Sequence, residues 1–361
     1  MPISAVDTIT LAIEHTKRQL VQPFRFGQWV RLAFVGLLAG ELGSGGSGFR
    51  SAFNSQRQAS GGHFPGDVFS KIDPALLAAV IAVLVVTGFV FFIVMTYVGS
   101  VMRFILFDSV LTRECRIGAG WTRRQGPGFR YFLWQIGYTL FVLGAMIILI
   151  GIPVAFVFGM GWFKAPKEHL LPLILGGIVL FFVSAIFFIA AAVVHVLTKD
   201  FVVPQMALED VGIIESWRRL WPMIRSEMGG YVAYVAMKIV LAIVAGILTG
   251  VATVILFLVI LIPTAAVGIG AVVAGKSAGL TWNVFTITAA VVAGCVLFAI
   301  IMFLVSLLSV PVIVFFPAYA MYFFAGRYQA LAIALSPPPA AAENPGGSWS
   351  PEAPPSAPAP A

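Results

Sequence analysis

The chain has 361 residues, of which 60% are hydrophobic and 10% are charged, and its formal net charge is +7. A soluble domain carries about 25% charged residues, so this chain has too little polar surface to cover its apolar residues in water. The composition excludes a soluble enzyme, a secreted disulfide scaffold and a nucleic-acid-binding domain as descriptions of the whole chain, and it predicts an integral membrane protein with several spans.

Six apolar segments follow one another along the chain. A hydrocarbon core of about 30 Å requires about 20 apolar residues in a helix. The segments predicted to cross it are 26–42, 75–107, 131–163, 170–197, 231–262 and 282–309. We therefore predict an all-α fold, a polytopic transmembrane helical bundle of about six spans. The first span is marginal, because only nine uncharged residues separate Arg31 from Glu41.

Two later segments allow more than one interpretation. Between 232 and 275 the only charge is Lys238, and this length is sufficient for two short spans. Pro263 predicts that the helix ends near residue 262 and that an interfacial or re-entrant segment follows. Two prolines interrupt 311–335, which we interpret as a bent extension near the membrane surface and not as a seventh span.

The composition also sets the domain boundaries. Residues 1–335 are predicted to form one transmembrane helical domain, within which the Gly/Ser-rich segment 43–74 is a flexible loop. The tail 336–361 is rich in Pro and Ala and has no larger aliphatic residue, so it is predicted to be disordered. As an alternative to a passive terminus, such a tail can dock on a partner in the polyproline conformation.

A short basic motif recurs along the chain. The segments WTRRQGPGFR at 121–130 and WRRLWPMIR at 217–225 share the pattern R-R-x-x-P-x-x-R, and KRQLVQPFR at 17–25 is a degenerate copy. Each copy precedes two apolar spans, so the domain is predicted to contain three units, each with a surface element and a helical hairpin. These pseudo-repeats cover about 3–108, 109–203 and 204–327.

The surface elements have the pattern of amphipathic helices. Apolar residues that share one helical face are Ile3, Val6, Ile9, Ile13 and Leu20 in the first element, and Val211, Ile214, Trp217 and Trp221 in the last. Such helices lie in the plane of the lipid headgroups. Since proline suits the first turn of a helix, the proline of each motif is expected to end the surface helix and to begin the span.

The basic motifs give the candidate binding residues. Arg pairs with planar oxyanions, and basic clusters next to the membrane attract anionic lipids. The candidate headgroup-binding residues are Lys17, Arg18, Arg123, Arg124, Arg130, Arg218, Arg219 and Arg225. The alternative is that these residues only set the membrane topology. In support of that alternative, fifteen of the 22 Lys and Arg residues fall on the side of the N-terminus and six, including Arg50, Arg57 and Lys71, on the other.

Two polar residues within the predicted spans are candidate site residues, Lys238 and His195. Lys238 is seven residues beyond Tyr231, or about 10 Å along a helix. A charge at that depth is often functional, but its side chain can also extend to the headgroups, which is the interpretation we favour. His195 ends its span, so we interpret it as an interfacial residue and not as a proton relay.

One segment supports a resemblance to known families. The residues Leu208-Glu209-Asp210 and Glu215-Ser216-Trp217-Arg218-Arg219 precede a membrane span. This arrangement resembles bacterial multi-pass families related to the membrane domain of glycerophosphodiester phosphodiesterases, together with related uncharacterised six-helix families. The resemblance implies the architecture and an accessory role in the membrane. It does not imply catalysis, because the chain has no segment the size of the soluble catalytic barrel.

These observations lead to one function and one alternative. We expect a non-enzymatic protein of accessory or lipid-associated role in the bacterial cytoplasmic membrane, with both termini cytoplasmic. We expect membrane lipids, anionic ones among them, and another membrane protein as partners, and no nucleic acid, cofactor, metal or catalytic residue. The alternative is a transporter of a small molecule or lipid. A polar cavity lined by Lys238, His195 or Glu41 would favour transport, whereas a dry bundle with an exposed apolar face would favour the accessory role.

Overall fold

The structure is a computed structural model that describes residues 4–22, 24–41, 74–162, 169–277, 279 and 284–335. The predicted tail, and the predicted loop up to residue 73, lie outside the described residues. All regular secondary structure within the described part is helical. The helices are α1 (Asp7–Val21), α2 (Phe26–Leu38), α3 (Pro74–Thr112), α4 (Ile117–Gly159), α5 (Leu170–Leu197), α6 (Val203–Glu209), α7 (Ile213–Ser226), α8 (Met228–Ser277), α9 (Val284–Leu308), α10 (Val310–Ala325) and α11 (Gln329–Leu335), and a π-helical turn (Thr198–Val202) joins α5 to α6.

In the described part of the chain, five stretches of helix are long and apolar enough to cross a membrane. They are Ala78–Thr112, Ile117–Gly159, Leu170–Glu209, Met228–Gly275 and Thr288–Ala325. The prediction of an all-α polytopic bundle is confirmed. The predicted first span differs, because α2 has only 13 residues. At 1.5 Å per residue α2 is about 20 Å long, shorter than the hydrocarbon core.

Buried side chains form one apolar core at one end of the bundle, which we call the packed end. It contains α1, α2, the last turns of α3, the first turns of α4, the π-helical turn, α6, α7, the first turns of α8, and α10. Large aromatic side chains from five of these elements fill its centre. They include Phe104, Tyr131, Phe201, Tyr234, Tyr319 and Phe323, each less than 2% exposed.

The rest of the long helices bury almost nothing. No described side chain is buried in 78–95 of α3, 133–159 of α4, 170–192 of α5, 239–275 of α8 or 288–300 of α9, which we call the exposed segments. In α3, four successive residues, 83 to 86, are each at least 62% exposed. Because four successive positions surround a helix, α3 has no neighbour among the described residues on any side at this level.

Helix α10 corrects the interpretation of 311–335 as a surface extension. Of its 16 residues, ten are buried, and it packs against α1 and α2. Its sequence is apolar on every side, which is typical of a helix enclosed by others. Gly36 of α2 permits the close approach, since a Cβ there would lie 2.6 Å from two side-chain atoms of Ile313.

The prolines do not end helices where the sequence predicted. Helix α8 continues through Pro263 to Ser277, so the predicted break and re-entrant segment are wrong. Pro127 lies inside α4, and Pro222 lies inside α7, which ends four residues later. Proline removes one backbone hydrogen bond. A helix is nevertheless the only way to satisfy the remaining backbone groups of a single segment in hydrocarbon, so it continues.

The two surface helices pack largely through residues outside the predicted apolar stripes. Helix α1 buries Thr8, Ala12, His15, Gln19 and Leu20, of which only Leu20 belongs to its stripe, and α7 buries Ile213, Ser216, Leu220 and Ile224. Of the eight described members of the two stripes, four are exposed, namely Val6 (59%), Ile13 (54%), Ile214 (81%) and Trp221 (50%). Each helix therefore has one face on the protein and a second, apolar face open to its surroundings.

A buried histidine fixes α1 to the core. His15 Nε2 donates to the carbonyl oxygen of Val110 at 2.9 Å, because that oxygen can only accept. Nδ1 then accepts from the hydroxyl of Tyr322 at 3.1 Å. Burial, together with the positive charges of Arg113 and Arg18, lowers the pKa of His15 below its usual value of 6.5. The folded protein therefore holds His15 neutral.

The lowered pKa predicts that acid weakens the attachment of α1. In the unfolded chain His15 gains a proton as the pH falls through 6.5, whereas in the folded chain it does so at lower pH, so stability is full above 6.5 and decreases below it. We expect the thermal unfolding midpoint in detergent to fall between pH 7.5 and pH 5.5. His15→Gln should reduce that fall, and an equal fall in the variant would contradict the assignment.

Candidate functional site

Five charged side chains meet where the packed end gives way to the exposed segments. They are Glu41, Arg103, Lys199, Asp200 and Lys238, and we call them the charged cluster. They line a cavity of about 30 Å³ together with apolar side chains of α3, α6 and α10. That volume accommodates about two water molecules. The site is therefore small, charged and set within an apolar wall.

The first half of the charged cluster surrounds Glu41. This residue follows α2, and its side chain is only 2% exposed. Lys199 Nζ donates to Glu41 Oε2, and Arg103 Nε lies 4.0 Å from Oε1. The Arg103 guanidinium also donates to the hydroxyl of Tyr131 and to the carbonyl oxygen of Ala39, the latter at 3.0 Å. Arg103 thus joins α2, α3 and α4.

The second half surrounds Asp200. Its Oδ2 accepts from Lys238 Nζ and, at 2.8 Å, from the hydroxyl of Tyr234. The ring of Tyr234 stacks on Tyr319, with centroids 5.2 Å apart. The side chains of Asp200 and Lys238 are 5% and 13% exposed. This half thus joins the π-helical turn to α8 and α10.

The charges of the cluster do not balance. With all five groups ionised, three cations face two carboxylates, and the net charge is +1. Taking an ion out of water costs several kcal/mol unless an opposite charge and hydrogen bonds compensate for it. Among the described residues, Arg103 Nε is buried and has no hydrogen-bond partner. The cavity is therefore positively charged and has an unused donor.

Local structure explains how the cluster forms. Lys199 and Asp200 are neighbours in the π-helical turn, a type of element that is frequent at functional sites. Side chains on a helix lean towards its N-terminus, so Lys238 leans back towards the first turns of α8, where Asp200 lies. The π-helical turn and the first turns of α8 therefore bring Lys199, Asp200 and Lys238 to one level.

The two predicted intramembrane residues have different outcomes. Lys238 is paired with Asp200 and lines the cavity, so its ammonium group has a counter-charge within the bundle, and its extension to the headgroups stays a prediction. His195 is half-buried, packs its ring against Tyr138, and does not line the cavity. Arg103, Lys199 and Asp200 also belong to the site but were not predicted from the sequence. The available signal was that a charge within a span requires an opposite charge nearby.

One predicted headgroup-binding residue is buried and hydrogen-bonded within the protein. Arg124 is 6% exposed and makes a two-pronged ion pair with Asp108, with both N–O distances 2.7 Å. Its remaining nitrogen donates to the carbonyl oxygen of Ala207 at 2.7 Å. These bonds fix α4 to α3 and α6, so Arg124 cannot reach a lipid headgroup.

The other predicted basic residues are at the surface. Lys17 and Arg123 are exposed and make no ion pair with any described residue. The others each contact a neighbouring side chain: Arg18 with Glu14, Arg130 with Asp210, Arg218 with Glu215, Arg219 with Glu209 and Glu215, and Arg225 over the ring of Trp221. Exposed pairs of this kind contribute little to stability, about 0–1 kcal/mol.

The charged cluster predicts a specific energetic coupling. Asp200→Asn leaves Lys238 without its counter-charge, and breaking a buried pair costs about 3–5 kcal/mol. We expect a markedly lower thermal unfolding midpoint in detergent. The control Asp200→Asn/Lys238→Met restores the net charge to +1 and should recover part of the loss. Equal midpoints for the single and double variants would show that the pair is not coupled.

Comparisons with known proteins give a family. No curated protein and no solved structure matches this chain. A family model matches residues 3–334. These residues include the whole charged cluster and every described helix, apart from the last residue of α11. The chain belongs to this family, which is described as a family of unknown function, DUF7544.

Proposed function

We propose that this protein is a non-enzymatic, lipid-associated membrane protein that recruits anionic lipid around its packed end. The observation that carries the proposal is the division of the bundle into a packed end and long exposed segments. An exposed helix in a membrane is covered by lipid or by another membrane protein. The protein therefore presents lipid-accessible surface on several sides of five helices, and an accessory role beside a partner membrane protein fits the same surface.

The exposed face of α7 supports contact with the headgroups. Ile214, Arg218, Trp221 and Arg225 are spaced at intervals of four, three and four residues, so they share one helical face. Arg218 is 78% exposed, and Arg225 lies 5.0 Å from the ring of Trp221. Apolar, Trp and basic side chains on one face are typical of helices that lie at the surface of an anionic membrane.

The orientation follows from the excess of Lys and Arg on one side of the spans. Cytoplasmic segments retain these residues, so we propose that the packed end faces the cytoplasm. The first and last described helices, α1 and α11, both pack at that end. We accordingly propose a bacterial cytoplasmic membrane protein with both termini inside. The resemblance to the membrane domain of glycerophosphodiester phosphodiesterases fits the same accessory role.

A transporter is the second candidate, because Glu41 and Lys238 line a cavity whose wall is otherwise apolar. A transporter requires polar groups or broken helices that continue across the membrane. Beyond Lys238, α8 has no charged residue until Lys276, and α3 has none between its start and Arg103. With a cavity of only about 30 Å³, the polar region does not continue past the charged cluster. We therefore favour lipid association.

The proposal predicts a preference for anionic lipid that depends on exposed cations. The variant Lys17→Gln/Arg123→Gln/Arg218→Gln removes three exposed charges, each of which contributes about 1 kcal/mol near an anionic surface. We expect the anionic fraction of the lipid retained on gentle extraction, measured by mass spectrometry, to fall towards that of the whole membrane.

The control removes the same number of charges elsewhere. Arg50→Gln/Arg57→Gln/Lys71→Gln changes residues that the sequence predicts to be on the opposite side of the membrane. This variant should retain the same lipid as the unaltered chain. Unchanged anionic enrichment in the first variant, with topology intact, would contradict the proposed function.

A further inference from the structure

We propose that the charged cluster is a binding site for one singly charged anionic group, the phosphodiester of a phospholipid or a free small anion. The inference begins with the excess charge. Arg103, Lys199 and Lys238 outnumber Glu41 and Asp200 by one, and all five side chains are at least 86% buried. With all five groups ionised, the described residues leave one positive charge without a counter-charge, which is costly in such a site, and one bound negative charge removes that cost.

The hydrogen-bond donors of the cluster support the same inference. Each Lys ammonium has three donors, and the ammonium groups of Lys199 and Lys238 each donate to one carboxylate oxygen. Arg103 Nε is buried without a hydrogen-bond partner among the described residues. Unused donors therefore come from three elements that surround one cavity. A buried donor without a partner is rare and requires an explanation, and an anionic oxygen supplies the missing acceptor.

The size of the cavity limits what can enter. About 30 Å³ accommodates one or two atoms the size of an oxygen. A whole substrate does not fit, but a chloride ion does, and so do the charged oxygens of a larger group that remains outside. A phospholipid has this form, because its phosphodiester carries one negative charge while its chains extend elsewhere.

The position of the cluster favours the lipid as the source. The cluster lies between the packed end and the exposed segments, so apolar helix surface begins immediately beyond it. In α8 the last fully buried residue is Tyr234, and from Ile239 onwards no described side chain is buried. Acyl chains can lie along this surface while the phosphodiester contacts Lys238. The assignment of the bound anion to a lipid rests on the proposed function, whereas the anion site itself does not.

The experiment varies the net charge of the cluster in the full-length chain. The protein is reconstituted in nanodiscs of phosphatidylcholine that contain some phosphatidylglycerol, and tightly held lipid is counted by native mass spectrometry. We expect one phosphatidylglycerol for each chain, because phosphatidylcholine carries the same phosphodiester but its quaternary ammonium group compensates for that charge. Lys238→Gln brings the net charge to zero and should weaken retention by roughly ten- to a hundredfold. Lys238→Gln/Asp200→Asn restores +1 and should recover retention.

A second arm separates the two sources of the anion. Delipidated protein in detergent is titrated with sodium phosphate and with sodium chloride while the thermal unfolding midpoint is followed. A saturable rise that Lys238→Gln abolishes, without retained phosphatidylglycerol, assigns the site to a free anion. Retained phosphatidylglycerol that neither salt displaces assigns it to the lipid.

A variant with the opposite charge change covers the case in which Lys238→Gln does not fold. Glu41→Gln raises the net charge to +2 and should tighten retention of phosphatidylglycerol or of the free anion. Unchanged or weaker retention in this variant overturns the inference. The inference is also overturned if the unaltered chain binds none of the three probes, phosphatidylglycerol, phosphate and chloride, or if binding does not change with the net charge of the cluster.

The surface variant Lys17→Gln/Arg123→Gln/Arg218→Gln keeps the two proposals distinguishable. Loss of general anionic enrichment in Lys17→Gln/Arg123→Gln/Arg218→Gln, with one phosphatidylglycerol still retained, supports both proposals. Absence of any enrichment in the unaltered chain, with a free anion bound at the cluster, contradicts the proposed function alone. Retention of phosphatidylglycerol that is the same in the charge variants of the cluster as in the unaltered chain contradicts this inference alone.

Discussion

The packed end depends on the requirement that charges be compensated where water is absent. Arg103, Glu41 and Asp200 lie among aromatic and aliphatic side chains, and each is held by partners from another helix. In such surroundings the attraction between opposite charges is strong, but the loss of hydration is costly too. The pairs therefore contribute less to net stability than to specificity, because only one arrangement of α2, α3, α8 and the π-helical turn satisfies all of them.

This requirement also explains why the protein has a core at only one end. Between apolar helices in lipid there is no hydrophobic driving force, because acyl chains are as apolar as leucine side chains. Association has to come from close packing, hydrogen bonds and ion pairs. Those features are concentrated at the packed end, where the Arg124–Asp108 pair and the two-pronged pair of Arg327 with Glu227 also lie. The Arg327 guanidinium lowers the pKa of Glu227 below its usual value, which keeps the carboxylate ionised. The exposed segments have almost no such groups and bury almost no surface.

The same division connects the structure to the proposed roles. The packed end carries the basic side chains, and the exposed apolar helices begin beside it. With its five groups ionised, the charged cluster has a net charge of +1, and the exposed basic residues of α1, α4 and α7 lie at the same end. The two proposals, a diffuse attraction of anionic lipid to the surface and one anion site inside the bundle, therefore involve different residues.

The sequence by itself determined the class of the protein and the approximate position of its spans. Composition and the length of apolar segments are sufficient for that, because hydrocarbon admits only helices of a certain length and polarity. It also identified Lys238 as an unusual residue. It did not predict that the helices continue through Pro263 and Pro127, because the effect of a proline depends on what surrounds the helix.

Only the tertiary structure decided which residues act together. Glu41 and Lys199 are 158 positions apart along the chain, and Asp200 and Lys238 are 38 apart. Pairing across such distances depends on how the helices pack, which the pattern of a single segment does not contain. For the same reason Arg123 and Arg124, adjacent in one basic motif, have opposite environments, one exposed and one buried against Asp108. Helical position relative to the core sets that difference, and the core exists only once the helices have assembled.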